Sequence, residues 1–238
     1  MPKNILKVIV IFVFGMFGGI FADQIFWPYF IERPFFYQYR LDQAPIVMNK
    51  TEEIIIQENS ALENAIEKVE KSVAGIKIET ASGKTIEGSA IVITSDGLIL
   101  TVFDLINQSG GTTLFFDGQA VEFRVLKKDA QNNLALLKIE KNNLPTTGFA
   151  EFGSLRFGQR VFLIGAFFRN GIFTKMVNEG IIKSYDEDSV ITNIFEKSYI
   201  KGSPLFNIKG ELVGINLTDQ EGKVVAISIN KIREFIGF

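Results

Sequence analysis

Lys201, with Ser203 two residues after it and Ser198 three before, is where this chain's residue types could do nucleophilic chemistry. A lysine amine near a serine hydroxyl can accept its proton, so Ser203 or Ser198 with Lys201 is a conceivable Ser–Lys pair. The 238 residues include no histidine and no cysteine. The commonest general base and metal ligand are thus missing, as is any thiolate or disulfide. Asp96, Asp117 and Asp129 read as turn residues, since aspartate accepts local backbone hydrogen bonds and the first two precede glycine. No phosphate loop, dinucleotide fingerprint or zinc spacing occurs, so no cofactor and no metal are expected.

These residues need a scaffold, and the composition supplies one. A hydrophobic fraction of 47% suits a sizeable core, while a net charge of -2 gives no general attraction to nucleic acid. Ile5 to Ala22 is an apolar run interrupted by Lys7 and continued by Ile25, Phe26 and Trp27. That length spans a hydrocarbon core, and Lys3 and Lys7 favour a cytoplasmic N-terminus. Trp27, Tyr29, Phe30, Phe35, Phe36, Tyr37 and Tyr39 follow as an interfacial aromatic belt. Ile20 and Ala22 make a weak small-residue cleavage site, so residues 1–39 are expected to be a single-pass anchor in the inner membrane rather than a cleaved signal peptide ending near Ala22, and 40–59 a linker.

Asn59 or Ser60 can cap a helix with Glu63, and Leu62, Ile66 and Val69 recur on one helical face. From Val73 onward the period changes to short apolar or alternating runs. Asp96-Gly97, Asp117-Gly118, Asn170-Gly171 and Lys209-Gly210 separate them as turns. Many short strands at this spacing predict an all-β barrel or sandwich over residues 60–238, closed by an amphipathic helix through Ile232, Phe235 and Ile236.

Several blocks resemble the HtrA-type, trypsin-like serine proteases. Gly88-Ser89-Ala90-Ile91-Val92-Ile93 and Ser95-Asp96-Gly97-Leu98-Ile99-Leu100-Thr101 look like the strands that lead to that family's catalytic histidine. Asp129 through Asn133-Leu134-Ala135-Leu136-Leu137-Lys138-Ile139 looks like the element of its catalytic aspartate. Lys201-Gly202-Ser203-Pro204-Leu205, followed by Gly214-Ile215-Asn216, looks like its nucleophile loop and the strand beyond. The resemblance implies a trypsin-like double six-stranded β-barrel, preceded by one N-terminal transmembrane helix and a short amphipathic helix. No segment here resembles the PDZ domain common in that family.

Carried over position by position, the resemblance places Asp104 at the histidine, Asn133 at the aspartate and Lys201 at the serine. The three are expected to be vestigial, with no catalytic residue among them. Serine attack needs a base in reach and a partner for that base. Tyr199 stands where the family has an oxyanion-hole glycine, and a non-glycine residue there is expected to disfavour the required backbone geometry. Asp104 and Lys201 are expected to meet across the cleft as an ion pair. Phe195, Tyr199, Gly202 and Ser203 are candidate cleft residues for peptide; Phe103, Phe167, Phe168, Phe173 and Phe195 could together line a hydrophobic peptide groove, with core packing the expected role for most of them.

The resulting expectation is a membrane-anchored domain on the extracytoplasmic side that is not an enzyme. It would bind a peptide or protein partner or assemble, a homo-oligomer among the options, with no nucleic-acid partner. The competing expectation is a residual HtrA-type serine endopeptidase.

Overall fold

The structure, a computed structural model, describes residues 2–32, 60–108, 110–197, 199–219 and 221–237. The chain divides into two compact units, Met1–Ile55 and Ile56–Phe238. In the first, α1 (Pro2–Phe21) continues as a wider π-type helix over Ala22–Glu32. Lys3–Trp27 is apolar over 25 residues, with side chains such as Phe12, Phe14 and Phe17 exposed. At about 1.5 Å per residue that is long enough to cross a bilayer core. The belt residues Phe35, Phe36, Tyr37 and Tyr39, the linker 40–59 with Asn59, and Ser198 lie outside the described residues.

The second unit opens with a helix over 60–69, α2, whose Ala65 and Val69 are buried as its period predicts, with Leu62 and Ile66 packed beside them. Seven strands follow: β1 (Val73–Thr80), β2 (Thr85–Val92), β3 (Leu98–Thr101), β4 (Gly110–Phe116), β5 (Gln119–Val121), β6 (Arg124–Asp129) and β7 (Leu134–Lys138). A one-turn helix, α3 (Phe103–Ile106), interrupts them after β3. Their order in the sheet is β5-β4-β1-β2-β3-β7-β6. Ala120 to Leu126 reads in sequence as one strand; here it breaks at Glu122 and Phe123, and the two halves form opposite edges of the sheet. Three chain steps reach at most about 11 Å. The sheet therefore curls until its edges lie close together, a half-barrel in place of the first closed six-stranded barrel.

The remaining strands are β8 (Arg160–Arg169), β9 (Ile172–Tyr185), β10 (Ser189–Phe195), β11 (Pro204–Asn207), β12 (Leu212–Thr218) and β13 (Lys223–Ser228). They close into the expected six-stranded barrel, β10-β13-β12-β11-β8-β9. Leu163, Ile182, Val190, Leu205, Val213 and Val224 fill it and are fully buried. The terminal helix α4 (Ile229–Ile236) is capped by Ser228, whose side chain accepts from the Asn230 N–H, and ends at Gly237 in the left-handed region. Its Ile232 and Phe235 join a core shared with α2 and the half-barrel.

The turn readings hold. Asp117-Gly118 and Asn170-Gly171 have positive φ at both residues, as tight hairpin turns require. Asp129 accepts from the Gln131 and Asn132 N–H groups, and Asp96 accepts from Thr94 and Lys138. The β8–β9 hairpin runs longer at both strands than the sequence suggests, out to Arg169 and Ile172. Its tip rests on the half-barrel, with Phe168 edge-on to Phe115 at 4.5 Å between ring centres and its N–H bonded to the Glu87 carboxylate at 3.0 Å.

Candidate functional site

The site lies between the half-barrel and the closed barrel, and one short polar side chain ties its parts together. Ser89, fully buried in β2, donates its hydroxyl to the Tyr199 carbonyl at 3.3 Å and accepts from the Ala166 N–H of β8 at 2.8 Å. The Ser89 N–H donates to the Lys201 carbonyl at 2.9 Å, and the Ser89 carbonyl accepts the buried Thr101 hydroxyl at 2.8 Å. These bonds lock the loop 199–203 onto both halves of the fold. Gly202, at φ 77°, sits so close that a Cβ would collide with the Ser89 carbonyl oxygen. Its N–H donates to the Asn216 carbonyl at 2.9 Å, and the Asn216 side-chain amide donates to Ser203 Oγ at 3.0 Å.

The three carried-over positions meet on this frame. Lys201 Nζ lies 3.0 Å from Asp104 Oδ2, which confirms the expected ion pair. The same oxygen accepts from Asn133 Nδ2 at 3.3 Å. Asp104 stands on the single turn of α3, whose N-cap residue, Val102, offers no side-chain cap. Asn133 takes over that task from 30 residues away: its backbone carbonyl accepts the Phe103 N–H at 3.1 Å, and its Oδ1 accepts the Asp104 N–H at 3.0 Å. Asn133 does so at φ 53°, a conformation asparagine tolerates better than most residues. Lys201 and Asp104 side chains are 38% and 46% exposed, so water screens the pair and its net stabilisation is on the order of 0.2–1 kcal/mol.

Two expectations change. Tyr199 does adopt a left-handed backbone, φ 67°, despite its Cβ. The strain, on the order of 1–2 kcal/mol, is opposed by the Ser89 bond and by stacking of its ring on Phe167 at 4.9 Å and 25°. Ser203, in contrast, is fully buried and belongs to the frame of the loop rather than to its surface. Gly202 is buried as well, whereas Tyr199 and Phe195 are 43% and 65% exposed. Phe168 and Phe173 pack against each other, with ring centres 5.7 Å apart.

Sequence reasoning missed Ser89, Thr101 and Asn216. Their signal was a small polar residue inside or at the end of an apolar strand, since a buried polar group must find partners. Chemically, the arrangement offers an acceptor carboxylate and a donor ammonium side by side, open to solvent.

A half-barrel and a closed barrel with ionisable side chains at their junction define a trypsin-like architecture. The family described as "Trypsin-like peptidase domain" matches residues 88–215, over half the chain. The chain belongs to this family. A probable periplasmic serine endoprotease DegP-like from Pseudomonas fulva is 32% identical over 138 residues, which are 54% of this chain and 28% of that protein. The match thus spans well under half of that relative. Among solved structures, the HtrA-type protease AlgW with a tripeptide has a TM-score of 0.65 at 23% identity, over 74% of this chain and 62% of that one. The serine endoprotease from Yersinia pestis has the same TM-score at 24% identity, over 74% and 65% of the two chains.

These findings correct the expectation that the chain is not an enzyme. The matching family is a peptidase family, and the Pseudomonas fulva relative is named a serine endoprotease. The residue types at 104, 133 and 201 argue against one proton-transfer scheme, which is narrower than peptidase activity.

Proposed function

We propose that residues 60–238 are an endopeptidase domain that takes extended polypeptide into the cleft between half-barrel and barrel. The observation that carries this reading is the Lys201 Nζ to Asp104 Oδ2 contact of 3.0 Å, half exposed at the junction of the two halves of a trypsin-like peptidase fold. With no histidine in the chain, proton transfer at this junction runs through that pair. Water attacks the scissile carbonyl carbon and gives its proton to the Asp104 carboxylate, while the Lys201 ammonium holds the oxyanion. The C–N bond then breaks, and the leaving amine takes the proton from Asp104. A carboxylate is a weaker base than an imidazole, so turnover is slow.

The N-terminal helix, with residues 1–39 as anchor and 40–59 as linker, holds the domain at a membrane. Lys3 and Lys7 put the N-terminus in the cytoplasm and the peptidase domain on the other side. The periplasmic naming of the Pseudomonas fulva relative supports that side.

Incubation of the purified chain with unfolded casein, followed by mapping of new N-termini, tests the reading. Cleavage lost in Asp104→Asn and Lys201→Met but kept in Ser203→Ala supports the water mechanism. Cleavage abolished by Ser203→Ala alone assigns the reaction to that serine instead, and binding without cleavage limits the domain to holding polypeptide.

A further inference from the structure

Tyr199 is a non-glycine residue kept in the left-handed region beside the ion pair, two residues before Lys201. Such strain persists where the surroundings enforce it, and it points from the outlier toward a use. Glycine would adopt the same backbone without cost, so the side chain is what the strain retains. That side chain does not fill the core. It stays 43% exposed while its ring stacks nearly parallel on Phe167 at 4.9 Å, with 25° between the planes.

Both partners are fixed from behind. The Tyr199 carbonyl accepts the Ser89 hydroxyl, and Phe167 belongs to the β8–β9 hairpin, pairing with Thr174 across it. The neighbouring Phe168 N–H is bonded to Glu87 of the half-barrel at 3.0 Å, which holds that part of the hairpin in place. The result is a rigid, solvent-facing aromatic surface whose tyrosine is separated from Lys201 by one residue. Polypeptide bound across the cleft would lay a side chain on it next to the Asp104–Lys201 pair.

We propose that the Tyr199–Phe167 stack is a specificity platform that selects an aromatic side chain of the bound polypeptide. This rests on the polypeptide-binding part of the reading above. A flat ring gains dispersion and quadrupole attraction from such a surface, and a rigid platform loses little conformational entropy on binding. An alanine at the same place covers almost none of it, and a lysine leaves its ammonium close to Lys201.

The test compares fluorescein-labelled extended peptides identical except for one central residue, Phe, Trp, Ala or Lys, by fluorescence anisotropy with the full chain. The expected result is at least about tenfold tighter binding of the Phe and Trp peptides than of the Ala peptide. Tyr199→Gly and Phe167→Ala should each reduce that ratio below about threefold. Tyr199→Gly relieves the strain but loses the stacking and loosens the unfolded chain, so its melting temperature should stay within about 5 °C of that of the parent chain, which separates lost selectivity from lost fold. Aromatic preference unchanged in Tyr199→Gly, or equal binding of all four peptides to the parent chain, overturns the platform alone. No binding of any peptide overturns the platform together with the polypeptide reading beneath it.

Discussion

The loop 199–203 joins two regions built on opposite principles. The side chains behind its backbone, Ser89, Thr101, Ser203 and Asn216, are fully buried, and each makes hydrogen bonds to its neighbours. Its front, Lys201 with Asp104, is half in water and held by one carboxylate oxygen. In the buried frame each lost contact leaves a polar group without water, at roughly 1–3 kcal/mol. At the front, water replaces whatever is removed. Geometry is therefore stored behind the loop, and residue identity at the front can change with little effect on the fold. The same frame could carry a different proton-transfer scheme on its surface.

The strongest way to break this contrast is Gly202→Ala. The added methyl meets the Ser89 carbonyl and the backbone is left-handed, so destabilisation of about 3–5 kcal/mol is expected in urea unfolding. A loss under about 1 kcal/mol would mean that the frame is soft. Next in size is Ser89→Ala, which strands the buried Ala166 N–H and frees the Tyr199 carbonyl. It should lower stability by about 1–3 kcal/mol, and Ser89→Thr, which keeps the hydroxyl, should recover part of it. Lys201→Met should change stability by less than about 1 kcal/mol, with an effect that shrinks further at high salt. If it also removes casein cleavage by about a hundredfold or more, chemistry and fold are divided as the comparison requires.

The front was more legible in the sequence than the frame. Lys201, Asp104 and Asn133 could be placed by the order of motifs, and a lysine's added length against an aspartate's shortness made their meeting foreseeable. Ser89 could not be seen to bridge two sheets, because its partners at 166, 199 and 201 are distant in sequence, and a polar residue in an apolar strand signals that it needs partners without saying which. α3 was missed because a single turn of four residues is too short to show a helical period. Tyr199 adopts the backbone that its Cβ disfavours because a stacked ring and one hydrogen bond, neither visible in the sequence, oppose the strain. The break at Glu122 and Phe123 escaped notice because both strands it separates continue the same run of β-forming residues. The curl of the sheet, a property of all seven strands, decides where that break falls.

The smallest expected effect sharpens the comparison within the exposed carboxylates themselves. Asp186 is as accessible as the front of the site, yet it is held by the backbone: its Oδ1 accepts from the Ser189 N–H at 2.7 Å and the Asp188 N–H at 3.0 Å. The Ser189 bond, then the Asp188 bond, holds its carboxyl below the usual value of 3.8. A depressed folded-state pKa gives stability that is complete above that unfolded value. It is lost as pH falls below 3.8 through the lower folded one. Asp186→Asn retains an oxygen for both N–H groups but has no proton to gain. The gap between parent and variant urea midpoints should therefore be constant from pH 7 to about 5 and narrow below about pH 4. A gap that stays constant down to pH 2.5 would show that exposed turn carboxylates are as loosely coupled to the fold as Asp104 is to Lys201, and would erase the distinction between backbone-held and side-chain-held charge.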